Sequence, residues 1–240
     1  MKLIVCNLKT YLNKEEFDSY IEGIKDLDLS NVVTCPSFIY LDSLYKKNIV
    51  IGSQDVSIYK NKNHTGEITT SQLKSIGVKY SIVGHSERCE TNDIISIKIN
   101  NLLEERIIPI LCIGEKLEDR KDNTYKEKLR TKLREILGNI KKEEISKIII
   151  AYEPLWAIGS GKIPTIEELE DIITYIKSII KEEYNADIKV LYGGSISKNN
   201  IDTLNRIECL DGYLIGKAST DSTELKTIIN RVKNTKKDKN

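Results

Sequence analysis

The sequence predicts an α/β fold of the (β/α)8 barrel class, eight parallel strands with outer helices, on three observations. Short runs rich in Val and Ile recur eight times along 240 residues, and continuous β-branched runs are the signature of strands buried on both faces. The segments between them are charged and carry apolar residues at helical spacing, so strand and helix alternate and the strands pair in parallel. Glycines and polar side chains gather directly after most of the runs, where parallel α/β folds collect their functional groups.

The first run is Leu3 to Cys6, and Asn7 and Lys9 follow it at once. Val32 to Cys35 and Ile49 to Ile51 are the second and third. Tyr80 to Val83, the fourth, leads into Gly84-His85-Ser86-Glu87-Arg88, and Ile107 to Ile113, the fifth, into Gly114-Glu115. Ile148 to Ala151, the sixth, delivers Glu153 into a Pro-Leu-Trp turn that ends in Gly159-Ser160-Gly161-Lys162. Ile188 to Tyr192 precedes Gly193-Gly194-Ser195, and Gly212 to Ile215 precedes Gly216-Lys217-Ala218-Ser219. Between strands, Tyr125, Leu129, Leu133, Ile136 and Leu137 mark one amphipathic helix, and Ile166, Leu169, Ile172, Ile173 and Ile176 another. An open doubly wound sheet uses the same elements. Eight units in this length favour closure, since a barrel of this class needs about 250 residues. Residues 1–240 therefore read as one domain with a frayed tail from Lys233.

Lys plus Arg number 37 and Asp plus Glu 36, a formal charge of +1. That balance provides no field for nucleic acid or a membrane surface, so neither is an expected partner and any anion site must be local. Apolar runs stop short of the roughly 20 residues that a membrane helix requires. The five cysteines, Cys6, Cys35, Cys89, Cys112 and Cys209, are odd in number and scattered, without a CxxC pair. No secretory signal precedes the first strand-like run, and a reducing cytoplasm is the expected location.

The polar residues at strand ends sort into two groups. Lys9, His85 and Glu153 are of the types that move protons and stabilise developing negative charge, and each follows a strand-like run. Taken alone, Lys9 reads as a solvated surface charge, and Ser86 and Glu87 as the start of a helix with Arg88 paired to a carboxylate. Capping and catalysis are compatible, and a neutral imidazole at that positive end would have its pKa lowered. Gly159-Ser160-Gly161, Gly193-Gly194-Ser195 and Gly216-Lys217-Ala218 form the second group, backbone N–H groups suited to a phosphate. Neither a Walker P-loop nor a GxGxxG fingerprint is present, which excludes nucleotide chemistry.

Asn7-x-Lys9, Thr65-Gly66-Glu67, Gly84-His85-Ser86-Glu87-Arg88, Cys112-Ile113-Gly114-Glu115, Ala151 to Lys162 and Tyr192-Gly193-Gly194-Ser195 together resemble the triosephosphate isomerase family, in family order and over essentially the whole chain. The resemblance implies interconversion of dihydroxyacetone phosphate and glyceraldehyde 3-phosphate, without cofactor or metal, by a homodimer. It assigns Glu153 as the base, neutral His85 as the electrophile and Lys9 as the source of positive charge, with Asn7 and Glu87 in support. It assigns the phosphate to Gly159, Ser195, Gly216 and Lys217, and makes residues 154–164 a lid that excludes water. Trp156 reads both as packing under that lid and as its hinge. Asn61 to Glu67 corresponds to the loop that enters the partner subunit, with His64 solvated. Cys112 reads as buried packing near the base.

Three positions depart from the family pattern: Leu8 stands for tryptophan, Lys217 for a second glycine, and Pro164 for an alanine whose N–H would meet Tyr192. Proline lacks that donor, so Tyr192 is expected to secure the lid less directly. Lys217 is expected to add attraction for phosphate. Two other readings stay open at this point: a barrel isomerase of another phosphorylated sugar, and a sugar-phosphate-binding protein without turnover.

Overall fold

The computed structural model describes residues 1–60, 63–157 and 163–234. Eight strands, β1 Leu3–Asn7, β2 Val32–Cys35, β3 Val50–Ser53, β4 Tyr80–Val83, β5 Ile108–Ile113, β6 Ile149–Tyr152, β7 Lys189–Tyr192 and β8 Gly212–Ile215, pair in parallel in chain order and close into a barrel. The last seam joins β1 to β8, with Val5 opposite Leu214 and Cys6 opposite Ile215. Helices surround the ring, as the alternating pattern predicted.

Every expected run is a strand, and the differences lie at the ends. Ile49 belongs to a turn, its N–H donating to the Lys47 carbonyl at 2.8 Å. β3 instead runs on through Gly52 and Ser53, which register with Tyr80 and Ser81. A β-carbon at position 52 would lie 2.5 Å from Cys35 Sγ and 2.8 Å from Val33 Cγ1, so only glycine fits the crowded interior there.

Alternation along each strand sorts side chains into two cores. Val5, Val33, Cys35, Ile82, Ile110, Cys112, Ile149, Ala151, Leu191 and Leu214 fill the barrel. Their neighbours Ile4, Cys6, Leu111, Ile150, Tyr152, Val190, Tyr213 and Ile215 point outward and pack beneath the helices. Helix Ile166–Tyr184 shows the matching half of that packing. It opens on a capping box in which Thr165 accepts the Glu168 N–H, ends at left-handed Asn185, and buries Leu169, Ile172, Ile173, Ile176, Ile179 and Ile180. Each such side chain contributes about 2 kcal/mol of gross burial. The final helix, Ser222–Asn234, carries on through Lys233, whose ammonium meets Asp28 Oδ2 at 2.6 Å; the remainder of the expected tail, residues 235–240, lies outside the described residues. No helix among the described residues is long and apolar enough to cross a membrane.

Candidate active site

The twofold period continues to the strand ends and just past them, and aims those side chains into the barrel mouth. Inward Val5 is followed by Asn7, Ala151 by Glu153, Leu191 by Gly193 and Leu214 by Gly216. A cavity of about 410 Å³ opens there, lined by Asn7, Lys9, His85 and Glu153 together with Gly193, Gly194, Ser195, Gly216 and Lys217. The first group and two of the three glycine-rich segments of the second thus share one chamber. Gly159 and the rest of the glycine-rich segment, residues 158–162, lie outside the described residues.

Lys9 adopts φ 47°, a left-handed conformation that costs a non-glycine residue on the order of 1 kcal/mol. Two side chains hold it there. Asn7 Oδ1 accepts the Lys9 N–H at 3.2 Å, and Gln54 Nε2 donates to the carbonyls of Lys9 at 2.9 Å and Cys35 at 3.0 Å. The Lys9 ammonium then reaches Glu87 Oε1 at 2.5 Å. Gln54 escaped the sequence reading, although inward Gly52 two residues earlier was the signal for it.

Gly84 turns the chain after β4 with φ 68°, where a β-carbon would also lie 2.9 Å from Ile95 Cδ1. His85 then precedes a short 3-10 turn, Ser86–Arg88, and its Nδ1 accepts the Glu87 N–H at 3.3 Å. That contact leaves Nε2 as the protonated nitrogen of a neutral ring, 3.5 Å from Glu153 Oε1. Burial, opposed by the Glu87 carboxylate and reinforced by the Lys9 charge, holds His85 below its usual pKa. Arg88 pairs with Asp55 Oδ2 at 2.7 Å. The capping expected of this segment is therefore present, with the imidazole itself as the cap.

Glu153 is only 3% exposed. Its N–H donates to the Ile113 carbonyl at 2.7 Å, while Oε2 finds no hydrogen-bond partner among the described residues. Burial pushes its carboxyl up to about 8, against the opposing Cys112 hydrogen bond and the charges of Lys9 and Lys132. Two glycines leave room for it. A β-carbon at 114 would fall 1.8 Å from the Glu153 carbonyl oxygen, and one at 193 would fall 2.6 Å from Glu153 Cγ.

Glu115, whose role the sequence did not reveal, joins the elements around the base. Its Oε1 accepts from Tyr152 Oη at 2.9 Å, Trp156 Nε1 at 3.0 Å and Arg120 Nη1 at 3.1 Å. Arg120 also reaches Glu168 Oε1 at 3.0 Å and lies over the Trp156 ring, 5.3 Å from its centroid. One buried carboxylate thus ties β5 and β6 to both the entry of the segment expected to form a lid and the helix that leaves it.

On the other rim, Ser195 Oγ donates to the Ala157 carbonyl at 2.8 Å, and Asn200 Nδ2 to the Ser195 carbonyl at 2.9 Å. Lys217 is exposed and has no positive φ, so its β-carbon brings no strain. Tyr192 Oη is buried without a partner among the described residues, and Pro164 has no N–H to donate to it. In the loop expected at a subunit interface, Asn61 and Lys62 lie outside the described residues; His64 stacks on Tyr59, ring centroids 3.6 Å apart.

The family model described as triosephosphate isomerase matches residues 2–232. The chain belongs to the triosephosphate isomerase family. It is similar to the triosephosphate isomerase of Francisella tularensis subsp. holarctica, 34% identical with 96% of each chain covered. It is also 35% identical to that of Clostridium botulinum strain Loch Maree, over 83% of this chain and 86% of the relative. Membership of the triosephosphate isomerase family makes the chain an isomerase with a triose phosphate as its substrate. Leu8, which stands where the family commonly has tryptophan, is 2% exposed and belongs to the outer core.

Proposed function

We propose that this chain interconverts dihydroxyacetone phosphate and D-glyceraldehyde 3-phosphate through an enediolate, with Glu153 as the base. The carboxylate takes a proton from one substrate carbon and returns it to the neighbouring carbon. His85, neutral, polarises the carbonyl through Nε2–H and moves protons between the two oxygens, while Lys9 offsets the negative charge that develops on them. Asn7 and Glu87 hold Lys9, the former through its backbone and the latter through its ammonium. Gly159, Ser195, Gly216 and Lys217 take the phosphate, and residues 154–164 close over it to exclude water, which would otherwise favour phosphate elimination. The enzyme works as a cytoplasmic homodimer, with Asn61 to Glu67 entering the partner.

The observation that carries this reading is the pairing of a buried, partly unpartnered Glu153 carboxyl with a neutral imidazole 3.5 Å away in one 410 Å³ chamber. A carboxylate desolvated in this way is a stronger base than one in water. The test is a coupled-enzyme assay of glyceraldehyde 3-phosphate isomerisation with Glu153→Asp as control. Withdrawing the carboxylate by one methylene is expected to lower turnover about 10²-fold. Folded protein that binds phosphoglycolate without turnover would overturn the proposal, and activity confined to a longer sugar phosphate would replace its substrate. Sedimentation as a monomer at micromolar concentration would remove the dimer.

A further inference from the structure

Helix Tyr125–Leu137 departs from its own pattern at one position. Leu129, Leu133 and Ile136 form its buried stripe, and Lys132 shares that face, three residues after Leu129 and four before Ile136. An ammonium is costly to bury unless it is paired. Among the described residues, no hydrogen bond or ion pair within 4 Å holds Lys132, which is half-buried and lines a second cavity of about 160 Å³. Glu153 and His85 line this cavity as well as the larger one, so the base is reached from one cavity by Lys9 and from the other by Lys132.

Of the two carboxylates facing this space, Glu90 is paired with Lys98, whereas Glu153 has no lysine or arginine within 4 Å among the described residues. Cys112 is driven far above its usual pKa by burial and stays a neutral thiol. Glu90 also lines the cavity; its Oε1 is held by Lys98 and approached by Arg88, and its Oε2 has no hydrogen-bond partner among the described residues. Cys89 is an exposed thiol whose Sγ donates to the Ser86 carbonyl. His85 is neutral, and Glu87 lies with Lys9 outside the second cavity. Burial lowers the Lys132 pKa, the Glu153 charge raises it, and Lys132 in turn lowers that of Glu153.

We infer that Lys132 is a positioning residue for the base, a second cation that favours the ionised form of Glu153 from the smaller cavity while Lys9 does so from the larger. The inference rests on Glu153 as the base of the proposed reaction. Its function is to extend proton abstraction to lower pH, against the burial that favours the protonated acid.

The test compares wild type with Lys132→Met and Lys132→Arg. Methionine suits the apolar stripe, and arginine keeps the charge. In Lys132→Met the acid limb of the kcat/KM profile is expected to move up by about one pH unit, a tenfold loss on the acidic side that narrows toward alkaline pH, and Lys132→Arg restores it. Difference infrared spectroscopy of the Glu153 carboxyl, assigned with Glu153→Gln, is expected to show the same displacement without reference to turnover. An unmoved acid limb and an unmoved carboxyl band would overturn the inference, as would a loss equal at every pH. Full activity in Glu153→Gln would overturn the base assignment alone, leaving the infrared displacement to report the Lys132–Glu153 interaction.

Discussion

Replacing Glu153 by glutamine should make the protein more stable, increasingly so as the pH rises above about 5. Burial raises the Glu153 carboxyl from 4.5 to about 8. Between those values the unfolded chain has released this proton and the folded chain still holds it, so raising the pH favours unfolding, and the full penalty is present above the folded value. At about 1.4 kcal/mol per pH unit, a gap of this size amounts to roughly 3–5 kcal/mol. Glutamine has nearly the same shape and no charge to desolvate. For a chain of this length each kcal/mol moves the melting temperature by about 2–4 °C, so the variant should melt on the order of 10 °C higher than wild type near pH 9 and together with it near pH 5. The assay is thermal unfolding followed by circular dichroism at several pH values and at equal protein concentration, because subunit association itself shifts melting. A difference that stays constant from acid to alkaline pH would refute the reasoning, since it would mean that the carboxyl titrates alike in both states.

Gly193→Ala would place a methyl 2.6 Å from Glu153 Cγ, and the displaced base should lose about 10²-fold in kcat with the fold retained, as circular dichroism would verify. Glu115→Ala leaves Tyr152 Oη, Trp156 Nε1 and Arg120 without their shared acceptor. Denaturant unfolding should register a loss of about 3–5 kcal/mol, and the emission of the sole tryptophan should shift. Lys217→Met removes an exposed charge beside the larger cavity, and KM should rise about threefold at low salt and converge with wild type at high salt.

The sequence was most legible where one physical rule acted alone. The strands announced themselves because burial on both faces keeps their runs largely apolar, with Thr34, Ser81 and the exposed Lys189 as exceptions, and β1, β4 and β8 span just the runs expected or one residue more. Asn7, Lys9 and Glu153 stood out because each follows a strand-like run directly, and the strand ends of such a fold gather at one mouth. Gln54 and Glu115 were not, since their roles depend on what other loops bring to them: a strained Lys9 carbonyl for one, a phenol, an indole and a guanidinium for the other. Lys132 is a third kind of case. On a helix that is charged along most of its length, one more lysine carries no signal until its face is known.

That last case bears on how a base of this kind is held ready. Desolvation makes the Glu153 carboxylate reactive, but the same desolvation favours the protonated form that cannot accept a proton. A cation in direct contact would restore ionisation and at the same time weaken the base by pairing with it. Lys9 pairs with Glu87 rather than Glu153, and Lys132 lines a cavity with Glu153 without an ion pair to it. Charge supplied at a distance acts on the ionisation equilibrium without occupying the oxygen lone pairs, and Glu153 Oε2 has no hydrogen-bond partner among the described residues. The unpartnered oxygen, costly to stability, is the feature that the proposed chemistry uses.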